Sequence, residues 1–131
     1  MLVVDASCLY EVVAKTPMAE AVRERMARDT DHAAPHLVDA EVLGTVRRRL
    51  LVRDLDETAA HQAVEDLRDW RGERFDHHGL LARAWELHHE VRSWDALYVA
   101  LAEALAAVLL TQDGRLGRAR GLRCHVEVVP T

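Results

Sequence analysis

Met1-Leu2-Val3-Val4-Asp5-Ala6-Ser7-Cys8-Leu9 opens the chain and decides its fold. The first four residues form an apolar run that reads as a buried strand, and Ala6 onward reads as the start of a helix. An acid stands at the junction. The pattern returns late in the sequence, where Ala107-Val108-Leu109-Leu110-Thr111 is a second apolar run and Asp113 lies just past its end. Strands separated by helices imply a parallel sheet covered on both faces. Ligands of such sheets bind outside the carboxyl ends of the strands. Asp5 and Asp113 are therefore placed to converge, and Glu41 and Asp95, in the first turns of two predicted helices, are placed to join them. Four converging carboxylates with no adjacent Lys or Arg repel one another unless a divalent cation neutralises them.

Outward from these runs the chain alternates regularly. Met1–Val4 is the first strand and Ser7–Lys15 a helix for which Ser7 is an N-cap candidate. Pro17 opens a second helix to about Arg28. After a polar break, Ala34–Val38 is a short extended entry. Asp39 caps a helix whose apolar positions are Val42, Leu43, Val46 and Leu50. Asp56–Trp70 is helical with Ala60, Ala63, Val64 and Leu67 inward, Arg74–Asp76 is a weak strand, and Gly79–Val91 is helical. Ser93–Ala106 is the clearest helix, with Trp94, Leu97, Leu101, Ala104 and Leu105 on one face. Strand Ala107–Thr111, a short helix near Arg115–Arg120 and strand His125–Val129 complete an α/β chain with a sheet of four to five strands.

The 131 residues suit one domain, 1–131, and with half of them apolar the chain is globular. No apolar run reaches membrane-spanning length, and the immediate strand leaves no room for a signal peptide, so the expectation is a cytoplasmic protein with no membrane contact. Cys8 and Cys124 make neither a disulfide framework nor a zinc signature. The net charge of −5 argues weakly against a nucleic-acid partner, but with four carboxylates set aside as ligands the remainder is −5 + 4 = −1. Lys15 is the only lysine among 17 basic residues. Arginine is the better fork for phosphate, although genomic composition bias produces the same excess.

Each acid also has a structural explanation. Asp5 starts a turn, Asp113-Gly114 is an ordinary turn dipeptide, and a carboxylate at a helix start gains roughly 0.3–1 kcal/mol from the dipole. Their combination is what points to a site, and the surrounding segments carry a resemblance. Val4-Asp5-Ala6-Ser7, Asp39-Ala40-Glu41-Val42, Trp94-Asp95-Ala96-Leu97-Tyr98-Val99-Ala100-Leu101-Ala102-Glu103 and Leu110-Thr111-Gln112-Asp113-Gly114-Arg115-Leu116 resemble, in order and spacing, the signatures of PIN-domain ribonucleases. More narrowly they resemble the VapC toxins of toxin–antitoxin pairs, and Asp95–Glu103 is the most specific part. The resemblance implies a PIN-like fold and assigns Asp5, Glu41, Asp95 and Asp113 as catalytic Mg²⁺ ligands, with Mn²⁺ able to substitute. It implies that Ser7 and Thr111 line the site as hydroxyls, beside their structural readings as an N-cap and a strand residue. Some relatives bear a further acid soon after the Asp113 position. Here Gly114, Arg115 and Leu116 follow, and the metal count stays open.

A divalent ion in such a site activates an attacking water and offsets charge on the phosphodiester and the leaving oxygen, so no histidine is required. His32 and His36 have helical metal spacing but span a loop containing Pro35, and His77-His78 and His88-His89 are adjacent pairs that diverge. A phospho-receiver domain, by resemblance, needs an acid pair after strand one and a late lysine. A haloacid-dehalogenase-like phosphatase needs Asp-x-Asp. The chain offers Asp5-Ala6-Ser7 and no lysine after Lys15. The expected function is an Mg²⁺-dependent endoribonuclease toxin that hydrolyses RNA and is inhibited by a cognate antitoxin. The alternative is a catalytically silent PIN-like binding module. Arg115, Arg47 and Arg48 are candidate RNA-phosphate contacts, with a solvated face as the competing reading. The resemblance also implies a homodimer, and Leu9, Val12, Val13, Met18, Val22 and Met26 on the early helices are a candidate surface for the dimer or the antitoxin.

Overall fold

The computed structural model describes residues 1–130, Ser93 through its backbone. Five strands form one sheet: β1 (Leu2–Val4), β2 (His32–Pro35), β3 (Glu73–Phe75), β4 (Val108–Thr111) and β5 (Val126–Val128). Their order is β3-β2-β1-β4-β5 and every pair is parallel. The chain steps from β1 outward through β2 to β3, then returns to the other side of β1 with β4. The order therefore reverses between β1 and β4, which makes a crevice beyond their carboxyl ends.

Seven helices cover the sheet: α1 (Ala6–Val13), α2 (Ala19–Met26), α3 (Leu37–Leu51), α4 (Glu57–Asp69), α5 (Leu81–Glu86), α6 (Ser93–Ala104) and α7 (Gly114–Gly117). Helix α6 packs across β1, β2 and β4, and α1 lies on β4 with α2, α3 and α4 against it. Leu2, Val3, Val4, Leu109 and Leu110 are fully buried, as continuous apolar strands between two helical layers require. Among the described residues no helix is long and apolar enough to cross a membrane.

Several local expectations change. Helix α1 begins at Ala6 with Asp5 at its N-cap, so Ser7 lies inside the helix and is not the cap. Helix α2 begins at Ala19, because Thr16 Oγ1 accepts the Met18 N–H at 3.2 Å and holds Pro17 in a turn. The stretch read as an extended entry is strand only to Pro35. His36 N–H closes the ladder on Phe75 O at 2.8 Å, and helix α3 starts at Leu37. Its first free donor, Leu37 N–H, is taken by His77 Nε2 at 3.1 Å. Asp39 is thus not an N-cap but lies in the first turn, where it receives Arg74 at 2.8 Å. The region read as one helix over Gly79–Val91 divides into a 3₁₀ turn (His78–Leu80), α5 and a series of tight turns that still point Leu87 and Val91 inward.

Faces shift as well. Leu43, Val64, Trp94 and Ala104 are exposed, not inward. The early helices do not offer a free apolar surface: Leu9, Val13, Val22 and Met26 are buried, and Val12 and Met18 pack against the core. They fill the layer between α1, α2 and the sheet, which uses more apolar area than the short strands alone would need. Glu103, which ends the most specific sequence segment, is structural. It receives Arg83 Nε at 2.6 Å and Arg123 N–H at 2.7 Å, while Arg83 also donates to Gly121 O at 2.7 Å. These contacts tie α5, α6 and the loop before β5 together.

Candidate active site beyond the first and fourth strands

Register brings the first and last acids together. Val4 pairs with Leu110, and Asp5 N–H continues the ladder to Leu110 O at 2.9 Å. Asp5 therefore faces Thr111, whose Oγ1 donates to Asp5 Oδ2 at 2.7 Å; Ser7 Oγ donates to the same oxygen at 2.8 Å. Both hydroxyls also accept backbone donors, Gln112 N–H on Ser7 and Asp113 N–H on Thr111, so they tie the β4 exit loop to the Asp5 carboxylate. Ser7 and Thr111 thus both lie against the Asp5 carboxylate.

Glu41 comes from the second turn of α3, since that helix starts at Leu37. Its Oε1 accepts the hydroxyl of Tyr98 at 2.7 Å, and Tyr98 is fully buried. Asp95 stands in the first turn of α6, one helical turn before Tyr98. Asp113 caps α7, accepting Arg115 N–H at 2.9 Å. A cavity of about 170 Å³ opens over Asp95 and Asp113, with Arg92 and Arg115 on its walls.

Burial pushes the Asp5 carboxyl above the usual carboxylate range, against the pull of its hydrogen bonds from Thr111, Ser7 and Ala6 N–H; Asp113 adds to the rise. Glu41 is raised by burial and by Asp5 and Asp95, with Tyr98 opposing. Asp95 is raised by burial and then by Asp5 and Asp113, with Arg92 and Arg115 opposing. Asp113 is also pushed up by burial, but the Arg115 N–H and guanidinium outweigh this and hold it below its ordinary value. The four acids therefore act on one another electrostatically. They do not form a ready-made cage: among the described residues, no three His, Cys, Asp or Glu side chains are grouped closely enough to hold a metal. Mutual repulsion and separate donors on Asp5, Glu41 and Asp113 account for the spread.

The basic residues divide. Arg115 is exposed and lies 3.4 Å from Asp113, and Arg92 influences Asp95, so the acids are not without basic neighbours as expected. Arg92 went unnoticed in the sequence because it lies outside every segment of the resemblance. Tyr98 lies within one, but nothing in the sequence pairs it with a glutamate 57 positions away. Arg48 lies two helical turns after Glu41 and so on its face of α3. Its guanidinium bonds Thr45 Oγ1 at 3.0 Å, and Thr45 in turn bonds Glu41 O. Arg47 is exposed and is rotated well away from that face of α3.

A parallel α/β sheet with a carboxylate cluster at its switch point and an all-oxygen donor set defines a class of hard-cation phosphate chemistry. The PIN domain model matches residues 2–122. Ribonuclease VapC1 of Mycobacterium tuberculosis is 38% identical over 128 residues, 97% of this chain and 96% of the relative. Ribonuclease VapC3 of the same organism is 43% identical over 119 residues, 90% and 86% of the two chains. The crystal structure of VapBC2 from Rickettsia felis, bound to a DNA fragment from its promoter, superposes with a TM-score of 0.68 at 18% identity over 98% of both chains. The chain belongs to the PIN-domain family and, within it, to the VapC ribonucleases.

Proposed function

We infer that the protein is a divalent-metal-dependent endoribonuclease and the toxin of a toxin–antitoxin pair, with Mg²⁺ as its ion and Mn²⁺ able to substitute. The observation that carries this reading is the set of Asp5, Glu41, Asp95 and Asp113 gathered at the switch point of a VapC-family chain. The donor set fits the ion: carboxylates and hydroxyls only, three of the acids held above their ordinary pKa by burial and by each other, and so in want of positive charge. Asp5, Glu41, Asp95 and Asp113 would hold it. A divalent cation supplies Lewis-acid charge for the phosphodiester, the attacking water and the departing oxygen.

The chain's own residues do the rest. Ser7 and Thr111 aim the Asp5 carboxylate, and Tyr98 aims that of Glu41. Arg115 takes a phosphate oxygen at the open edge, and Arg48 makes a more distant contact on the Glu41 side. These contacts give affinity and register without reading sequence. The protein acts as one domain in the cytoplasm and is inhibited by a cognate antitoxin, a partner supported by the likeness to a VapBC complex. It pairs with a second copy, and the exposed Leu43 and Leu51 of α3 and Val64 of α4 are among the apolar side chains open to protein contact.

The test is cleavage of a structured RNA by the purified protein, with products mapped in Mg²⁺, in Mn²⁺ and in EDTA. Cutting in either metal and none in EDTA is the expected outcome. Cleavage unchanged in EDTA removes the metal reading, and absence of cleavage in both metals leaves a silent binding module.

A further inference from the structure

Next to the acid cluster lies a second, larger groove of about 820 Å³ that the chemistry above does not use. Trp85 of α5 and Trp94 of α6 stand in it, 70% and 62% exposed. Two of the chain's three tryptophans are thus kept in solvent on one open surface. An exposed apolar patch of this kind marks a binding site.

Three features select the occupant. First, the groove and the cavity over Asp95 and Asp113 share a wall, Val91 and Arg92, and Trp94 directly precedes Asp95. Whatever lies on the indoles is next to whatever is held at the acids. Second, Trp85 carries the His88 ring at 4.1 Å between centroids and 9° between planes. That is the geometry of a planar nitrogen heterocycle stacked on an indole; His88 takes one face, His89 lies 4.0 Å beyond it, and the exposed Trp85 still presents indole surface to a further ring. Third, Arg92 on the shared wall is exposed and makes no ion pair among the described residues, so it is free for a backbone phosphate. Aromatic faces for bases, with a cation for the backbone beside them, are how proteins hold unpaired nucleic acid. A protein partner would also cover tryptophans. However, the groove runs into the cleavage site, so a permanent protein occupant would stand in the substrate's approach.

We propose that the Trp85–Trp94 groove is a stacking subsite for an unpaired nucleobase of the RNA, adjacent to the phosphodiester held at the acid cluster. This rests on the ribonuclease reading. It makes the two tryptophans specificity-determining residues that favour cleavage in loops and single strands over duplexes.

The experiment needs no folding-sensitive variant for its first arm. Wild-type protein is titrated in EDTA, which stops cleavage, with a short single-stranded RNA and with versions carrying one abasic site at successive positions. One abasic position near the cut should weaken binding about fivefold to 150-fold, and the intact RNA should quench tryptophan fluorescence. In the second arm Trp85→Leu and Trp94→Leu keep an apolar side chain and lose the ring face. Each should weaken the intact RNA by a similar factor, lose most of its discrimination against the abasic RNA, and raise KM in Mg²⁺ more than it lowers kcat. Sedimentation should show the wild-type oligomeric state. Equal affinity for intact and abasic RNA at every position overturns the proposal. So does loss of self-association in the leucine variants, which would assign the groove to contact between copies. If wild type does not cut RNA in Mg²⁺ at all, the ribonuclease reading itself fails. If it cuts and the variants cut with unchanged KM and kcat, only the stacking subsite fails.

Discussion

Tyr98→Phe removes a single oxygen from the interior and tests how the site holds its acids. The ring is fully buried and stays in place, so no cavity opens; the loss is confined to the hydroxyl that donates to Glu41 Oε1 at 2.7 Å. Hydrogen bonds to ionised groups contribute about 1.5–3 kcal/mol. Glu41 is only half-buried, so water replaces part of the lost donor, and the expected drop in metal-free stability is about 1–2 kcal/mol. The cation responds differently. A freed Glu41 turns away from Asp5 and Asp95, which repel it, and loses the orientation that a bound ion would use. Partners that orient a ligand typically contribute about 10–100-fold in metal affinity, and the lower end is expected here because three acids remain in place. The assay is Mn²⁺ titration by calorimetry or electron paramagnetic resonance, beside thermal melts in EDTA. Affinity unchanged or improved in the variant would refute the reasoning, because it would mean that the tyrosine competes with the ion for Glu41.

Three further outcomes follow from the same geometry. Burial keeps the Asp5 carboxyl above its unfolded pKa, so the native state binds that proton more tightly than the unfolded chain, and stability is lost as pH rises from the unfolded value through the native one. Asp5→Asn should match wild type in acid EDTA melts, exceed it near neutral pH and abolish cleavage; a gap that does not widen with pH would count against a strained carboxylate. Arg115→Ala should weaken RNA binding and reduce the slope of log affinity against log salt by about 0.7–0.9, and an unchanged slope would leave Arg115 as a partner of Asp113 alone. Asp39→Ala strips the carboxylate from Arg74, which is 20% exposed and lies 5.0 Å from the Trp70 ring centroid. It should lower the melting free energy by about 1–2 kcal/mol and leave cleavage near normal, which separates damage to the scaffold from damage to the site.

Much of this was legible in the chain for identifiable reasons. Strands β1 and β4 are short runs of apolar residues bounded by acids, and a parallel sheet buried on both faces is what such runs require, so Asp5 and Asp113 could be placed before the fold was seen. Helix α6 read correctly except for its surface: Trp94 and Ala104, at the two ends of the helix, fit the apolar period but lie in solvent. The two capping errors have separate causes, one local and one distant. Ser7 and Asp39 have the right chemistry for an N-cap, yet Asp5 stands at the start of α1, and His77, 40 residues away from Leu37, takes the free donor at the start of α3. Periodicity and composition carry no information about such distant partners. The same holds for the Tyr98–Glu41 bond and for the Arg83–Glu103–Arg123 clamp.

The scaffold and the site obey opposite rules. Elsewhere the molecule satisfies its charges: Glu103 is held low by Arg83 and the Arg123 N–H, and Asp29 is held low by Arg25 and the N-terminal amine, although burial opposes both. At the switch point Asp5 is buried and Glu41 and Asp95 are half-buried. All three are held high by burial and by neighbouring carboxylates, against hydrogen bonds on Asp5 and Glu41 and the charges of Arg92 and Arg115 beside Asp95. Local conflict of this kind destabilises a fold, and chains retain it where function requires it. The hydroxyls of Ser7, Thr111 and Tyr98 keep the acids facing the crevice but do not neutralise them. A bound divalent cation would remove the repulsion and bind only the native state, so above its Kd it should raise the melting temperature with the logarithm of its concentration. The arrangement proposed to hold the catalytic ion is then the same one that would couple the stability of the protein to that ion.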